Sequence, residues 1–189
     1  MTEKKQTQKI QVELIENFLV VWNPAEGSQL YKTAYYGKPV GIPKPKIPEF
    51  DVPLILDLME GLYLAETDKI AIYEKNQTKV SLKKLRQKVK ELYDEFEEKY
   101  AVYKDLRETG LIVTPGIKFG CDFAVYKYGP GVEHAPYMVS VKKSGSNISA
   151  TEIVKAGRLA TTVRKRFIIA VPDVEAKKTK FLIFKWFKA

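Results

Sequence analysis

The sequence predicts an α+β (mixed α/β) protein of two domains, a small N-terminal α/β domain over residues 1–105 and a second α/β domain over residues 106–189. Three observations predict this organisation. A strongly amphipathic helix follows Ser81 in the first half of the chain. Glycine and proline then interrupt the chain twice between residues 109 and 116. Beyond them, short strand-like runs flank a single helix, so the two halves differ in character.

The N-terminal half begins with residues 9–22, whose loosely alternating apolar side chains predict one or two strands. Residues 35–53 are rich in glycine and proline, and they predict an extended, turn-rich connection. Leucines then recur at helical spacing from Leu54 onward and predict a helix. A short strand is expected at residues 69–73.

The amphipathic helix begins at a favourable N-cap, Ser81. Its apolar residues recur at steps of three and four: Leu82, Leu85, Val89, Leu92 and Phe96. This pattern predicts one helix that fades near Arg107. The other face carries lysine and glutamate, and we interpret it as solvated surface.

The second half predicts strands at residues 117–128 and 135–143, joined by a glycine- and proline-containing loop that holds His134. By itself, this histidine is either an ordinary surface or packing residue or a group that exchanges protons near neutrality. A loop held between strands is a frequent position for catalytic groups.

A capping box, Ser149-x-x-Glu152, predicts a helix that runs through Val163. One predicted face carries small and apolar side chains (Ile153, Ala156, Ala160 and Val163), and the opposite face is polar (Lys155, Arg158, Thr162 and Lys165). The polar face suits either successive phosphates or plain solvation. A strand at residues 167–171, a charged loop at 173–180 and a last strand at 181–187 complete the chain.

The composition restricts the class of protein. Hydrophobic residues make up 45% of the 189 residues, enough for a packed core. No apolar run approaches the roughly 20 residues that cross a bilayer, and the polar N-terminus lacks the apolar stretch of a secretory signal. We therefore expect a soluble, cytoplasmic protein with no membrane partner.

Cysteine and histidine each occur once, as Cys121 and His134. These two residues cannot form an internal disulfide or a zinc cluster. A reactive thiol is one interpretation of Cys121, but we expect a small core residue. The sequence therefore predicts no structural zinc.

The net charge of +9 is compatible with a polyanionic partner, because each phosphate that a cationic side chain neutralises releases counterions. Lysine-rich surfaces are also common in thermophilic proteins. Charge alone therefore does not identify a nucleic-acid-binding protein.

Three stretches resemble the catalytic domain of the tRNA-splicing endonucleases: Val125-Tyr126-x-x-Gly129, His134-Ala135-x-Tyr137, and Arg158-Leu159-Ala160-x-x-Val163-Arg164-Lys165. The order tyrosine, histidine, lysine agrees with the family, as does the arginine that precedes the lysine. The closing strand also resembles the family's last strand. Upstream, residues 35–39 and 54–63 resemble the N-terminal domain of archaeal members, so the resemblance covers nearly the whole chain.

The resemblance implies a restriction-endonuclease-like α/β catalytic domain with a central mixed sheet, and cleavage of precursor tRNA at a bulge–helix–bulge. The 2′-hydroxyl would attack the adjacent phosphate, leaving a 2′,3′-cyclic phosphate and a 5′-hydroxyl without any metal or cofactor. Tyr126 would accept or orient the 2′-hydroxyl proton, given an ordinary tyrosine pKa of about 10. His134 would protonate the leaving oxygen, and Lys165 would stabilise the transition-state charge.

The resemblance also implies RNA binding and assembly. Arg158 and Trp186 are the candidates for gripping a bulged base; otherwise Arg158 is a surface cation and Trp186 a core or interface residue. Family members of this length form a homo-tetramer or a hetero-tetramer with a related structural subunit. The last strand is the candidate dimer seam. The loop with Asp173 and Glu175 would dock on a neighbour, although nearby lysines reduce its acidity, or else is a solvated turn.

Two other classes stay open. A metal-dependent, restriction-like nuclease would need carboxylates on separated strand positions, whereas Asp173 and Glu175 lie in one loop. A non-catalytic structural subunit or RNA-binding protein would lack one or more of the three catalytic residues, and this chain retains all three.

Overall fold

The computed structural model describes residues 9–43, 45–162 and 165–184, with the backbone alone for residues 155 and 159–162. The chain divides into two compact units, Met1–Tyr93 and Asp94–Ala189. The sequence-based boundary at residues 105/106 lies further along, inside a helix of the second unit. That helix belongs there because it packs on the strands of the second sheet. Among the described residues, no helix has the length and apolar character to cross a membrane.

The first unit contains a five-stranded sheet of β1 (Ile10–Ile15), β2 (Phe18–Val21), β3 (Lys38–Pro39), β4 (Leu54–Leu56) and β5 (Ile70–Tyr73). The strand order is β3-β4-β2-β1-β5, and every neighbouring pair is antiparallel except β1 and β5. The predicted strands at residues 9–22 and 69–73 are confirmed.

The helix expected from Leu54 begins later than predicted. Leu54–Leu56 forms β4 between β2 and β3, and helix α2 spans Leu58–Glu66. The Asp57 carboxylate accepts from the Met59 amide at 2.8 Å, and Glu60 accepts from the Asp57 amide at 3.1 Å. This capping box fixes the helix start, so the leucines before it are free to pair in the sheet.

Helix α1, Pro24–Ala34, was not predicted. The Asn23 side chain accepts from the Ala25 amide at 3.0 Å, and Pro24 occupies the first turn. An Asn-Pro pair of this kind is a known start signal for a helix.

The single helix expected after Ser81 is two helices, α3 (Leu82–Leu92) and α4 (Phe96–Glu108). The prediction of one continuous helix was wrong because Glu95 adopts a left-handed φ of 54°. The Tyr93 hydroxyl also donates to the Asp57 carboxylate, which ties the end of α3 to the first unit. The Ser81 cap is confirmed, since its hydroxyl accepts from the Lys84 amide at 3.2 Å.

The second unit contains a mixed five-stranded sheet of β6 (Ile112–Pro115), β7 (Phe123–Tyr126), β8 (Tyr137–Val141), β9 (Arg166–Asp173) and β10 (Lys178–Phe184). The order is β10-β9-β8-β7-β6, in which only β8 and β9 are parallel. Helix α5, Ala150–Thr162, forms the crossover between these two strands. The mixed sheet expected for this domain is present.

The strand expected at residues 117–128 is shorter than predicted. Ile117–Phe119 is a 3₁₀ turn, and only Phe123–Tyr126 is extended. Strand β6 was missed altogether, because the two glycine-containing breaks around it suggested a linker. Strand β6 pairs with β7, from Ile112 opposite Tyr126 to Pro115 opposite Phe123. The two breaks therefore lie at the ends of this strand.

The capping box of α5 is confirmed: the Glu152 amide donates to Ser149 Oγ at 3.2 Å, and the Ser149 amide donates to Glu152 Oε2 at 2.9 Å. On the face that carries small and apolar side chains, the two described side chains differ in burial. Ala156 is fully buried, but Ile153 is 44% exposed. Lys165 lies beyond the last helical residue, so it does not share a helix face with Arg158.

Candidate active site

The register of the second sheet aligns three strand ends. Val125 of β7 pairs with Tyr137 of β8, and Tyr137 pairs with Arg166 of β9. Because β7 runs against β8 while β9 runs with it, the end of β7 lies beside the starts of β8 and β9. Neighbouring strands are about 4.8 Å apart, so these three strand ends lie side by side along one border of the sheet. We call this row of strand ends the sheet edge. Tyr126 is the last residue of β7 and lies on this edge.

The other two catalytic candidates lie on chain segments that enter the same edge. His134 belongs to the segment that leads into β8, and Lys165 directly precedes β9. The sheet therefore carries Tyr126, the His134 segment and Lys165 to one end of the domain, although 39 positions separate residues 126 and 165 in sequence.

Tyr126 is half-buried and packs against an apolar cluster of Cys121, Ala124, Ala135, Met138, Ala156, Phe167 and Ile169. Burial raises the pKa of the Tyr126 phenol above its ordinary value. A hydrogen bond with Thr114 opposes this effect and lowers the pKa, while the negative charge of Glu133 raises it. The phenol is therefore held in its neutral form near pH 7.

His134 is exposed, and its loop is held by a carboxylate. Glu133 Oε1 accepts from the amides of Lys127 at 2.5 Å and Tyr128 at 2.6 Å. The Glu133 amide in turn donates to the Gly129 carbonyl at 3.2 Å. Gly129 has a φ of 121°, a conformation that favours glycine. These bonds close the loop between the end of β7 and the residue before His134.

The ammonium of Lys165 lies over an aromatic ring. Lys165 Nζ is 4.0 Å from the centroid of the Phe119 ring. Burial lowers the pKa of Lys165 below its ordinary value, and the positive charge of Lys118 lowers it further, while Cys121 acts in the opposite direction. Among the described residues, no carboxylate lies within ion-pair distance of Lys165.

Of the two candidates for gripping a base, the structure describes only Arg158. Arg158 is exposed on α5. Trp186 lies outside the described residues. The loop with Asp173 and Glu175 is a tight turn between β9 and β10, in which Asp173 Oδ1 accepts from the Ala176 amide at 2.9 Å.

The interpretation of Cys121 as a core residue is confirmed, since it is 8% exposed and its thiol lies 3.5 Å from the Gly116 carbonyl oxygen and 3.4 Å from that of Phe123. In the part of the chain that the structure describes, no group of three or more His, Cys, Asp or Glu side chains is arranged to hold a metal ion.

Sequence reasoning missed three residues that shape this site: Thr114, Phe119 and Glu133. Only Glu133 carries a sequence signal, because it directly precedes the single histidine. The contacts of Thr114 and Phe119 depend on sheet pairing and on a turn, and neither is encoded by local spacing.

Comparison with known proteins identifies the family. Residues 96–180 match the family described as tRNA intron endonuclease, catalytic C-terminal domain, and residues 10–86 match tRNA intron endonuclease, N-terminal domain. The tRNA-splicing endonuclease of Hyperthermus butylicus is 44% identical over 169 residues, covering 89% of this chain and 93% of that protein. Those of Sulfurisphaera tokodaii and Saccharolobus islandicus are 41% and 39% identical, each covering 93% of this chain and 98% and 97% of the relative. The chain belongs to the tRNA intron endonuclease family.

Proposed function

We propose that this member of the tRNA intron endonuclease family excises introns from precursor tRNA, cleaving at a bulge–helix–bulge by metal-independent transesterification. The observation that carries the proposal is the common sheet edge, from which Tyr126, the His134 segment and Lys165 all emerge. In the reaction, a bond forms between the 2′ oxygen and phosphorus while the bond from phosphorus to the 5′ oxygen breaks. The products are a 2′,3′-cyclic phosphate and a 5′-hydroxyl.

Tyr126 orients the attacking 2′-hydroxyl. Its raised pKa disfavours the phenolate near pH 7, which argues against Tyr126 as a strong base in the free enzyme. A neutral phenol can still accept a hydrogen bond from the 2′-hydroxyl and align it with the phosphate. The 2′-hydroxyl proton passes to water as the bond from the 2′ oxygen to phosphorus forms, because a neutral phenol is too weak a base to take it.

His134 acts as the general acid. As an imidazolium, it donates a proton to the 5′ oxygen while the bond to phosphorus breaks. The exposed position of His134 leaves the imidazole accessible to RNA, and the hydrogen bonds of Glu133 restrict the loop that holds it.

Lys165 stabilises the additional negative charge that forms on the phosphorane-like transition state. An ammonium works best here when no protein carboxylate competes with the phosphate for it. The surroundings of Lys165 meet this condition among the described residues. Its partial burial strengthens the electrostatic interaction because the local dielectric is lower than that of water.

The substrate class follows from the chemistry. The attacking group is the 2′-hydroxyl, which DNA lacks, so a 2′-deoxy nucleotide at the cleavage site blocks the reaction. The unpaired nucleotides of a bulge expose base faces, and the exposed cation Arg158 can stack on one of them. Trp186 is the proposed second member of this grip.

Excision of an intron needs two cuts at a fixed separation, which a symmetric assembly provides. We infer a homo-tetramer or a hetero-tetramer with a related structural subunit, with β10 at a subunit seam. Strand β10 is an outermost strand of its sheet, so one side of it is unpaired. Its residues Phe181, Leu182 and Ile183 are between 42% and 51% exposed. Light scattering on the purified chain tests this, because a homo-tetramer has about four times the 21.6 kDa mass of one chain.

The proposed function is tested with an end-labelled bulge–helix–bulge RNA in excess EDTA, comparing the wild type with His134→Ala. We expect cyclic-phosphate ends from the wild type only, and no cleavage of a control RNA with 2′-deoxyribose at the scissile position. Equal cleavage by both proteins would exclude the proposed role of His134. Loss of wild-type activity in EDTA, restored by a divalent metal, would favour a metal-dependent nuclease instead. RNA binding without cleavage, even with a related subunit added, would identify a structural subunit.

A further inference from the structure

A short turn next to the proposed active site is held by backbone hydrogen bonds and close packing. In the 3₁₀ turn Ile117–Phe119, the Phe119 amide donates to the Gly116 carbonyl at 2.8 Å, and the Gly120 amide donates to the Ile117 carbonyl at 3.0 Å. A Cβ atom at Gly116 would lie 2.6 Å from Cys121 Sγ and 2.8 Å from the Cys121 carbonyl oxygen, so the turn packs closely against the chain that follows it.

The chain after the turn is anchored as well. The Asp122 amide donates to the Val139 carbonyl at 3.0 Å, and Asp122 Oδ2 accepts from the Val141 amide at 2.8 Å. The opposite oxygen of the same carboxylate lies 3.1 Å from Lys99 Nζ. These contacts anchor the start of β7 on β8, directly after the turn.

The turn directs neighbouring side chains to different environments. Ile117 is 85% exposed, whereas Phe119 is partly buried against the apolar cluster that also supports Tyr126. The face of the Phe119 ring is the surface over which the Lys165 ammonium lies, at 4.0 Å from the centroid. One apolar cluster therefore supports both Tyr126 and the ring beneath Lys165.

An aromatic ring differs from a carboxylate as a partner for an ammonium. A carboxylate would neutralise the charge and occupy N–H donors that a phosphate needs. The face of a benzene ring attracts the cation through its quadrupole but leaves the net charge in place. A lysine held this way keeps its charge for the transition state while losing much of its side-chain freedom.

We infer that Phe119 is a positioning residue that holds the Lys165 ammonium at the site through its ring face. This inference rests on the proposed function for its effect on catalysis, since Phe119 acts through Lys165 and not on the RNA. It predicts that the aromatic character of residue 119, and not merely its apolar volume, determines the rate of cleavage.

The kinetic test compares Phe119→Leu, which keeps apolar bulk, with Phe119→Tyr, which keeps the ring. Under single-turnover conditions, Phe119→Leu is expected to lower the cleavage rate constant roughly ten- to a hundredfold, the effect of misplacing a group by about an ångström. RNA affinity should stay the same, and Phe119→Tyr should cleave much faster than Phe119→Leu. Ile117→Ala is the matched control in the same turn, because this side chain is solvent-exposed.

The contact itself is tested without RNA. Reductive methylation of the lysines with ¹³C gives one NMR signal for each modified amine, and the Lys165 signal is assigned by its loss in Lys165→Arg. An ammonium over a ring face is shifted upfield by the ring current. We expect this upfield shift in the wild type, in Ile117→Ala and in Phe119→Tyr, and its loss in Phe119→Leu.

The two measurements separate the possible failures. If the wild type cleaved no RNA, the proposed function would be at fault, and the NMR shift would still decide the contact. An unshifted Lys165 signal in the wild type would overturn the inference. Equal cleavage rates for the leucine and tyrosine variants, at equal thermal stability, would overturn it as well. A slow leucine variant with an unchanged melting temperature and a lost ring-current shift would support it.

Discussion

The two units use the same elements, a five-stranded sheet with helices, but they bury them differently. In the first unit every residue of α2 from Leu58 to Leu64 is buried. In the second unit α5 contributes the fully buried Ala156 to the core, while Ile153 and Val154 are 44% and 59% exposed. The first unit therefore packs around α2, whereas in the second unit one side of α5 is exposed to solvent. Close packing on all sides suits stability, and an open face suits binding.

Burial affects polar groups in both units. The buried Glu60 of the first unit accepts from the Asp57 amide at 3.1 Å and the Gly37 amide at 3.4 Å. Both of its carboxylate oxygens therefore stabilise the backbone of the fold. At the sheet edge of the second unit, Tyr126 and Lys165 both have pKa values displaced by burial. Burial also raises the pKa of Tyr31 and Tyr93 in the first unit, so displaced pKa values alone do not distinguish the two units. The match of residues 96–180 to the catalytic C-terminal domain assigns the chemistry to the second unit.

The strongest test of this comparison is Lys165→Gln. We expect the single-turnover rate constant to fall by roughly 10²–10³, because one electrostatic contact to the transition state is lost. The melting temperature should change little, since the side chain is only partly buried. Lys143→Gln provides the matched charge change at the opposite end of the sheet, where Lys143 lies 3.6 Å from Glu98. Equal rates for these two variants would refute the role of Lys165.

Gly61→Ala tests the opposite half of the comparison. A Cβ atom at this position would lie 1.8 Å from Cδ1 of Leu19, which is fully buried. Overpacking of this kind costs about 1–3 kcal/mol of unfolding free energy. Chemical denaturation should report that loss, while the cleavage rate per folded molecule stays at the wild-type value. A large fall in that rate at full folding would show that the first unit also takes part in the reaction.

The smallest expected effect is a pH shift in Lys118→Gln. With an RNA whose 5′ leaving oxygen is replaced by sulfur, which needs no proton from His134, cleavage by the wild type should decline as pH rises through the lowered pKa of Lys165, because the ammonium loses its charge there. The positive charge of Lys118 contributes to that lowering, so its removal raises the pKa of Lys165. The alkaline limb of the rate profile should therefore move to higher pH. A limb that does not move would show that another group controls it.

Much of the fold could be predicted where a local signal marks an element. Ser81 and the Ser149–Glu152 pair cap their helices as expected, and the strands near β5 and β8 follow their apolar patterns. Helix α1 was missed although Asn23 and Pro24 give a local start signal, whereas other failures lie where tertiary contacts override a pattern. Leu54–Leu56 is a strand because β2 and β3 lie on either side of it, although its spacing is also helical.

The members of the candidate site stay predictions, and their arrangement could not be predicted from the sequence. The residue types in Tyr126, His134 and Lys165 and their order were sufficient to propose a reaction. The expected helix face shared by Arg158 and Lys165 was wrong, because α5 ends before Lys165. Nothing in the local sequence predicted that Phe119 would lie beneath the Lys165 ammonium.

The sequence by itself determined the features that depend on neighbouring residues or on composition. A helix cap is a bond between residues two or three apart, and one cysteine with one histidine excludes a zinc cluster wherever they lie. The tertiary structure decided which segments pair. Strand register brings together residues that are far apart in the chain, as in the Tyr137 and Arg166 pair. Such contacts depend on the closure of long loops and on the packing of both sheet faces, which no short stretch of sequence encodes.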